Sequence, residues 1–312
     1  MTVCTRCKRN DAVFARTYSG EKLCKKCFGI TIEERVRKTI AKYDMLQPTD
    51  NFMIGVSGGK DSIVLLHILT KLEKAFPSVK FCAGTVDEGI RDYRDEALKI
   101  AQDNCKKLGV EHMVVSFKEL FGYELDKIVE LTQKKQKKGL TPCSYCGVLR
   151  RQALNTMARD AGVNKLVTAH NLDDETQTML LNVLHGDPLR IARAKPVLNV
   201  IHPKLVQRVK PMCMVPEKEV VLYAYQKGIE FQCIDCPYAQ DALRNDIRDM
   251  LNRMEHKHSG TLFTVFNSME KIQPALENYV KETKLTECKI CGEPTVGDIC
   301  RACEMLQEIK VL

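Results

Sequence analysis

Long hydrophobic runs are absent from this chain of 312 residues. Its apolar stretches, such as VVLYAY from Val220, are far shorter than the roughly 20 residues of a membrane-spanning helix. The N-terminal segment MTVCTRCKRN carries charge from Arg6 onward and has no apolar segment of the kind that a secretory signal needs. We therefore expect no membrane partner and a cytoplasmic location.

Disulfide bonds are a second feature that we do not expect, although the chain contains 15 cysteines. Thiols in the cytosol are kept reduced. Twelve of the 15 cysteines also fall in CxxC pairs, a spacing typical of metal or redox sites. Metal binding or catalysis therefore explains them better than a disulfide framework.

Two fourfold cysteine sets, one near each end of the chain, have the spacing of tetrahedral zinc sites. The sets are Cys4, Cys7, Cys24 and Cys27, and Cys288, Cys291, Cys300 and Cys303. Each lies in a segment too small to have a core of its own, so we expect each to close on one structural Zn²⁺. The predicted zinc knuckles span residues 1–30 and 285–312.

A connecting helix over residues 31–48 is predicted to lead into the main domain, residues 49–284. Its first residues form a T-x-x-E capping box at Thr31 and Glu34, and apolar residues repeat at helical spacing as far as Tyr43. The segment QPTD then ends the helix, and the apolar strand NFMIGV follows.

Strands and helices alternate through the main domain. The predicted strands are FMIGV, KFCAGTV, HMVVSF and KLVTAH. The predicted helices cover residues 61–76, residues 94–108, a long stretch up to 138, a segment after 142, the segment DDETQTMLLNVL and the region after 252. Apolar strands that alternate with helices indicate a parallel sheet covered on both faces. We therefore predict a doubly wound α/β fold, in which ligands bind at the carboxyl ends of the strands.

The segment GVSGGKDS, residues 55–62, follows the first strand and opens a helix. It matches neither the Walker A pattern nor GxGxxG, yet its glycines lie where backbone N–H groups can approach an anion. The candidate phosphate-binding residues are Ser57, Gly58, Gly59, Lys60, Asp61 and Ser62. A carboxylate beside phosphates requires a cation such as Mg²⁺ between them, which gives Asp61 a metal-binding role.

Polar residues also follow two other strands. Asp87 and Glu88 lie at the end of KFCAGTV, where they can contact ribose, adenine or metal, or form an exposed turn. His170 ends KLVTAH, and the adjacent carboxylates Asp173 and Asp174 open the next helix. Helix capping explains one of these carboxylates, and we expect the second to be functional. We place Asp87 and His170 with the nucleotide-binding residues.

Two further CxxC pairs lie inside the main domain, Cys143 with Cys146 and Cys233 with Cys236. The first pair stands at a predicted helix start shortly before Arg150, where the helix dipole and positive charge favour the thiolate. The second pair precedes a helix predicted to begin near residue 238. Spacing alone leaves open whether the two pairs form a third closed zinc site or an iron site.

A net charge of +8 favours a polyanionic partner. The basic residues cluster in Lys134, Lys135, Lys137 and Lys138, in Arg150 and Arg151, and in Arg190, Arg193 and Lys195. One such cluster is typical of a solvated face, but several clusters beside one candidate active site indicate RNA or DNA.

The phosphate loop resembles that of the PP-loop ATP pyrophosphatases, and three further segments resemble the TtuA/TtcA group of tRNA thiolation enzymes. These segments are PCSYCGVLRR, AHNLDDETQT and CPYAQDALRNDIR. The cysteine sets at both ends match the TtuA-like branch, and the resemblance covers essentially the whole chain. It implies that the serine hydroxyls and backbone N–H groups of the loop hold the β and γ phosphates of ATP while AMP is transferred.

The resemblance also implies a [4Fe-4S] cluster on Cys143, Cys146 and Cys236. We choose Cys236 because it stands in the CPY sequence of this branch, and Cys233 is the alternate ligand. Three protein ligands leave one iron open for sulfide. The catalytic aspartate of the family matches Asp174. Its basic residue, often lysine, matches Arg150, which stays charged and cannot act as a base.

The implied reaction is 2-thiolation of a tRNA uridine, with Asp61, Asp174 and Arg150 as candidate catalytic residues. ATP adenylates the 2-carbonyl oxygen with loss of pyrophosphate, and a cluster-bound sulfide then displaces AMP. The sulfur donor is a ubiquitin-like thiocarboxylate or free sulfide. Two alternatives are another PP-loop enzyme that adenylates tRNA for an amine nucleophile, and a non-catalytic RNA-binding scaffold. A homodimer through the last helices is left open.

Overall fold

A parallel five-stranded sheet forms the centre of the molecule, with a short antiparallel hairpin near each end of the chain. The computed structural model describes residues 2–73, 80–134, 140–239, 243–279 and 284–310. Its strands are β1 (Phe14–Ala15), β2 (Lys22–Leu23), β3 (Asn51–Gly55), β4 (Lys80–Asp87), β5 (His112–Ser116), β6 (Lys165–Val167), β7 (Gln207–Val209), β8 (Thr286–Glu287) and β9 (Pro294–Thr295).

The strand order of the central sheet is β5-β4-β3-β6-β7, and neighbouring strands are parallel. The chain runs from β3 to one edge through β4 and β5, and then returns to form the other side with β6 and β7. The order therefore reverses between β3 and β6, which is where ligands bind in such folds. The predicted doubly wound α/β fold is confirmed.

Helices connect the strands and cover both faces of the sheet. They are α1 (Lys25–Lys42), α2 (Lys60–Glu73), α3 (Arg94–Leu108), α4 (Phe117–Phe121), α5 (Leu125–Lys134), α6 (Pro142–Asp160), α7 (Leu172–Leu184), α8 (Pro188–Arg193), α9 (Glu217–Lys227), α10 (Leu243–Lys257), α11 (Thr261–Tyr279) and α12 (Arg301–Lys310). Helix α11 packs against α7, α8 and α10 of the same chain. None of the described helices is long and apolar enough to cross a membrane.

Two hydrophobic cores flank the sheet, because the side chains of its buried strands point alternately to the two faces. Along β3, Phe52 and Ile54 pack into a core that includes residues of α1, α2 and α9. The intervening Met53 packs into a second core with residues of α5, α6 and α12. The helix that carries the first internal cysteine pair, α6, therefore lies on the Met53 face.

The first helix begins earlier than its capping-box pattern predicts. Helix α1 starts directly after Cys24, which is its N-cap, so that Cys27 lies in its first turn. The predicted capping box is wrong, because the Thr31 hydroxyl donates to the Phe28 carbonyl at 2.7 Å and Glu34 pairs with a knuckle arginine at 2.6 Å. The second cysteine pair of the knuckle, rather than a capping box, marks where this helix starts.

Three other local predictions differ from the structure. The long helix predicted up to residue 138 is two helices, α4 and α5, because Gly122 ends α4 in the left-handed region with a φ of +81°. The lysine side chains at 134–138 lie outside the described residues. The helix predicted to begin near Tyr238 starts, in the described part of the chain, at Leu243. Strand β7 was not predicted, since its three residues are too few to show a pattern.

Ion pairs attach both cysteine knuckles to the main domain. In the N-terminal knuckle, an Arg16 guanidinium nitrogen lies 2.7 Å from a carboxylate oxygen of Glu219 on α9, and both side chains are almost fully buried. Arg35 contacts the same carboxylate at 3.3 Å. In the C-terminal knuckle, Glu293 pairs with Arg159 of α6 at 2.7 Å. Both knuckles are thereby held in fixed positions against helices of the central domain.

Candidate active site and metal centres

The phosphate loop connects β3 to α2 at the switch point of the sheet. Gly58 has a φ of +90°, and a Cβ atom there would lie 2.4 Å from the carbonyl oxygen of Ala97, so only glycine fits. The Ser62 hydroxyl donates to the carbonyl of Gly59 at 3.0 Å and accepts from the N–H of Ser57 at 3.0 Å. These contacts fix the conformation of the loop backbone.

Lys60 is paired with carboxylates rather than left free. Its ammonium lies 3.0 Å from Asp61 and 2.7 Å from Glu217, the first residue of α9. Burial opposes this charge, but the two carboxylates raise the pKa of Lys60 above its usual range. The side-chain amide of Asn171 donates to the other oxygen of Asp61 at 2.9 Å. The predicted loop residues therefore meet the start of α7 directly.

Both carboxylates at the start of α7 cap helices. Asp174 forms a capping box with Asn171, and Asp173 accepts from the N–H of Glu217 at 2.7 Å. Asp174 also faces Asp61, and burial together with this like charge raises the pKa of Asp174 to about 6. Helix capping therefore accounts for both aspartates. Only Asp174 also faces Asp61 of the phosphate loop, which makes it the better candidate for the functional carboxylate.

A buried ion pair links the phosphate loop to the second predicted strand end. The guanidinium of Arg94 donates to the carbonyl of Ser57 at 2.7 Å and lies 2.8 Å from a carboxylate oxygen of Glu88. The other oxygen of Glu88 lies 3.6 Å from Arg150. Asp87 accepts from the N–H of the glycine two residues later at 2.9 Å, which is the turn role that the sequence also allowed.

His170 lies among cations. Its Nδ1 is 3.0 Å from the hydroxyl of Thr168. Burial, followed by the positive charges of Lys210 and Arg208, lowers the pKa of His170 well below its usual value. The imidazole is therefore neutral at physiological pH, and it can accept or donate a hydrogen bond to a ligand at this strand end.

The first internal cysteine pair lies in the first turns of α6, as predicted. Cys143 is exposed, and its thiol donates to the carbonyl of Tyr238 at 3.2 Å. Cys146 is half-buried, and burial raises its pKa to about 11 against the opposing charge of Arg150. The expected lowering of the Cys146 pKa is therefore wrong for the metal-free thiol, since desolvation outweighs the arginine.

The second internal pair differs in the positions of its two members. Cys236 is half-buried, and its charge raises the pKa of Cys146, as does that of Cys143. Cys233 is exposed, and its thiol donates to a backbone carbonyl at 3.7 Å. Just before it, the N–H of Gln232 donates to the carbonyl of Gly58 at 3.0 Å. The segment that carries this cysteine pair is thus joined to the phosphate loop.

The two terminal cysteine sets each have the geometry of a single-ion site. In each set the four sulfur atoms lie within 4.8 Å of one another, and three of the four residues are buried. Among the described residues, no other group of three or more such ligands is this close. Cys143, Cys146 and Cys236 therefore do not form a cluster of ligands this close.

Sequence reasoning missed three residues of this site: Arg94, Glu217 and Gln232. Arg94 opens α3 and Glu217 opens α9, so each has the appearance of an ordinary residue at a helix start. Their partners, the phosphate loop and its lysine, are distant in sequence. Only the packing of α3 and α9 against α2 brings them together.

Comparison with known proteins assigns the family. A family model described as a PP-loop domain matches residues 30–255. The chain therefore belongs to the PP-loop family, and the resemblance carried by the phosphate loop is confirmed.

Within that family, the chain is similar to tRNA 2-thiolation proteins over essentially its whole length. It is 36% identical to the tRNA 2-thiolation protein NcsA of Haloferax volcanii, and the match covers 99% of each chain. It is 35% identical to the tRNA-5-methyluridine(54) 2-sulfurtransferase of Pyrococcus horikoshii, with 96% of this chain and 92% of that protein covered. The predicted kinship with tRNA thiolation enzymes is confirmed.

The structural comparison agrees. The U34-tRNA thiolase NcsA from Methanococcus maripaludis, solved with its [4Fe-4S] cluster, superposes with a TM-score of 0.85 at 32% identity. The match covers 99% of this chain and 96% of that one. The two proteins therefore share the central sheet and both terminal knuckle regions.

Proposed function

We propose that this protein is an ATP-dependent tRNA-uridine 2-sulfurtransferase. It adenylates the 2-carbonyl oxygen of a tRNA uridine, with release of pyrophosphate, and replaces that oxygen with sulfur as AMP leaves. The observation that carries this proposal is the 3.0 Å hydrogen bond between Gln232 and Gly58, which joins the second cysteine pair to the phosphate loop. Adenylation acts on the 2-carbonyl oxygen and sulfur attacks the carbon that bears it, so the two steps require neighbouring sites.

The phosphate loop binds the nucleotide. The N–H groups at the start of α2 and the hydroxyl of Ser57 donate to the β and γ phosphates. Ser62, whose hydroxyl donates to the Gly59 carbonyl, positions the loop around them. Asp61 and Asp174 hold Mg²⁺. Burial, followed by the like charge of Asp61, raises the pKa of Asp174, and a divalent cation between the two carboxylates would offset both effects. The lysine beside Asp61 then offsets the negative charge of the leaving pyrophosphate.

Cys143, Cys146 and Cys236 hold the [4Fe-4S] cluster, which supplies an iron with a free position for sulfide. Two observations support this set: the Cys143 thiol contacts the carbonyl of Tyr238, two residues after Cys236, at 3.2 Å, and the charges of Cys236 and Cys143 both act on Cys146. Cys233 remains the alternate ligand. The cluster in the structure of the NcsA relative supports the same chemistry here.

Arg150 follows Cys146 by one helical turn on α6. Its guanidinium faces Glu88 at 3.6 Å, and through Glu88 and Arg94 it is connected to the phosphate loop. A permanently charged guanidinium stabilises the negative charge on the phosphate of AMP as sulfur displaces it from the activated base. His170 and Asp87 line the nucleotide side of the same edge.

The remaining assignments follow from the fold and the relatives. The two terminal cysteine sets hold Zn²⁺, because four thiolates this close favour a tetrahedral ion. The tRNA named in the relatives is the proposed substrate, and the location is the cytoplasm. The sulfur donor is a thiocarboxylate carrier protein or free sulfide. The division into residues 1–30, 31–48, 49–284 and 285–312 and a homodimer remain predictions.

The test uses full-length protein purified without oxygen and supplied with ATP, Mg²⁺, sulfide and unmodified tRNA. Pyrophosphate and 2-thiouridine are measured together, and we expect them in equal amounts. Asp61→Asn is expected to lower both by about 100-fold through loss of charge stabilisation at the phosphates. Asp298→Asn, which alters an exposed carboxylate of the C-terminal knuckle, is the matched control and should change neither.

Two outcomes would contradict the proposal. Pyrophosphate release without 2-thiouridine, under conditions that retain the cluster, would indicate a PP-loop enzyme with another nucleophile. Absence of both products from protein that binds tRNA would indicate a non-catalytic RNA-binding scaffold.

A further inference from the structure

Arginines that are not fully exposed normally have a carboxylate partner in this structure. The described arginines of this kind are Arg16, Arg35, Arg94, Arg159, Arg208 and Arg244. The first four each lie within 4.0 Å of a glutamate carboxylate. Arg208 and Arg244 have no such partner among the described residues, although Arg244 donates to the hydroxyl of Thr178. Arg208 is therefore a partly buried guanidinium group that has no carboxylate partner among the described residues.

Strand register places Arg208 on the same face of the sheet as α6. Arg208 pairs with Leu166 of β6, and Leu166 pairs with Met53 of β3. Both of these partners pack into the core that contains residues of α6. Residues that pair across parallel strands point to the same face, so the Arg208 side chain points toward α6. Arg151 follows the cysteine pair on that helix.

The positive charges in this region are close enough to oppose one another. Burial, followed by the charges of Arg151 and Arg150, lowers the pKa of Arg208 to about 10. Arg151 is exposed, and the positive charges of Arg150 and Arg190 oppose its own. Other cations nearby are compensated: Lys210 pairs with Glu175 at 2.8 Å. Arg151 and Arg208 are thus left without a counter-charge.

Such an arrangement costs free energy in the unliganded protein and is relieved when an anion binds. The guanidinium group matches a phosphate with two parallel hydrogen bonds. Strand β7 is the second strand from β3, so Arg208 lies roughly 10 Å across the sheet from the strand that carries the phosphate loop. The loop supplies N–H donors for the ATP phosphates, and Arg208 lies on β7, beyond the switch point between β3 and β6.

We propose that Arg151 and Arg208 form a binding site for one backbone phosphate of the tRNA, beside the nucleotide that is modified. The site rests on the proposed function and adds to it a fixed point of attachment next to His170 and the cysteine pair. A phosphate held here anchors the RNA strand while the target base turns into the pocket.

The test measures binding of unmodified tRNA to full-length, metal-loaded protein over a range of salt concentrations. Arg208→Gln is expected to weaken binding about tenfold at low salt and to reduce the slope of log K against log salt by about 0.7–0.9, the value for one lost phosphate contact. Arg208→Lys keeps the charge and should retain the slope while losing part of the affinity. Arg159→Gln alters an arginine already paired with Glu293 and is the matched control.

Affinity for ATP and the iron content are measured on the same variants. Both should stay within twofold of the parental protein, which also shows that Arg208→Gln is folded. An unchanged salt slope in Arg208→Gln would overturn the proposal. A selective loss of ATP affinity would overturn it as well, because the arginines would then bind the nucleotide. Failure of the proposed function is distinguishable, since the parental protein itself would then form no 2-thiouridine.

Discussion

Replacing Asp174 with asparagine is expected to stabilise the nucleotide-free protein while it abolishes pyrophosphate release. Burial and the charge of Asp61 raise the pKa of Asp174 from 3.8 to about 6. Each unit of pKa difference between the folded and unfolded chain corresponds to about 1.4 kcal/mol. The ionised carboxylate therefore destabilises the fold by about 1–3 kcal/mol at pH 8. Asparagine removes this charge and can still accept the capping hydrogen bond from Asn171.

The sign of the pH dependence follows from the raised pKa. As pH rises above about 4, the unfolded chain loses the proton of Asp174 before the folded protein does, so stability falls until the folded pKa near 6 is passed. The gain in free energy of unfolding from Asp174→Asn should be full at pH 8 and about half as large at pH 5. Urea unfolding of zinc-loaded protein without Mg²⁺ or nucleotide measures it, with the exposed Asp298→Asn as control. A variant less stable than the parental protein at pH 8 would refute this reasoning.

Three further predictions concern packing and positioning. Glu219→Ala leaves Arg16 buried without its partner and should cost about 3–5 kcal/mol in urea unfolding; a loss below about 1 kcal/mol would contradict the buried ion pair. Gly58→Ala forces a Cβ atom to within 2.4 Å of a backbone oxygen, so ATP affinity measured by calorimetry should fall at least tenfold, and unchanged affinity would contradict the loop geometry. Glu88→Gln should lower kcat for thiolation about tenfold with KM for ATP unchanged, because Arg150 loses the carboxylate that orients its guanidinium. A raised KM with unchanged kcat would instead place Glu88 at the nucleotide.

Local signals predicted the parts of the fold that depend on neighbouring residues. Helix α3 covers residues 94–108, as predicted, because its apolar residues repeat at helical spacing and Gly109 ends it in the left-handed conformation. The phosphate loop and the cysteine pairs were found for the same reason, since their chemistry needs fixed spacing along the chain. Both terminal cysteine sets indeed come together in the structure.

Contacts between distant segments could not be predicted. The start of α1 was misplaced because Thr31 and Glu34 fit a capping box, whereas the structure begins the helix within the cysteine knuckle. Nothing local indicates that Glu217 pairs with Lys60, or that Arg208 faces α6. The pKa of Cys146 was expected in the wrong direction, because burial depends on packing that the sequence does not show.

The most direct test of the central claim compares two neighbouring cysteines. Cys236→Ala and Cys233→Ala variants are purified without oxygen, and iron, zinc and tRNA 2-thiouridine are measured for each. The parental protein should contain about four irons and two zincs per chain. Cys236→Ala is expected to lose iron and tRNA thiolation while it keeps its zinc. Cys233→Ala is expected to keep its iron and its thiolation activity. Parental rates of tRNA thiolation by Cys236→Ala would contradict the three-cysteine account.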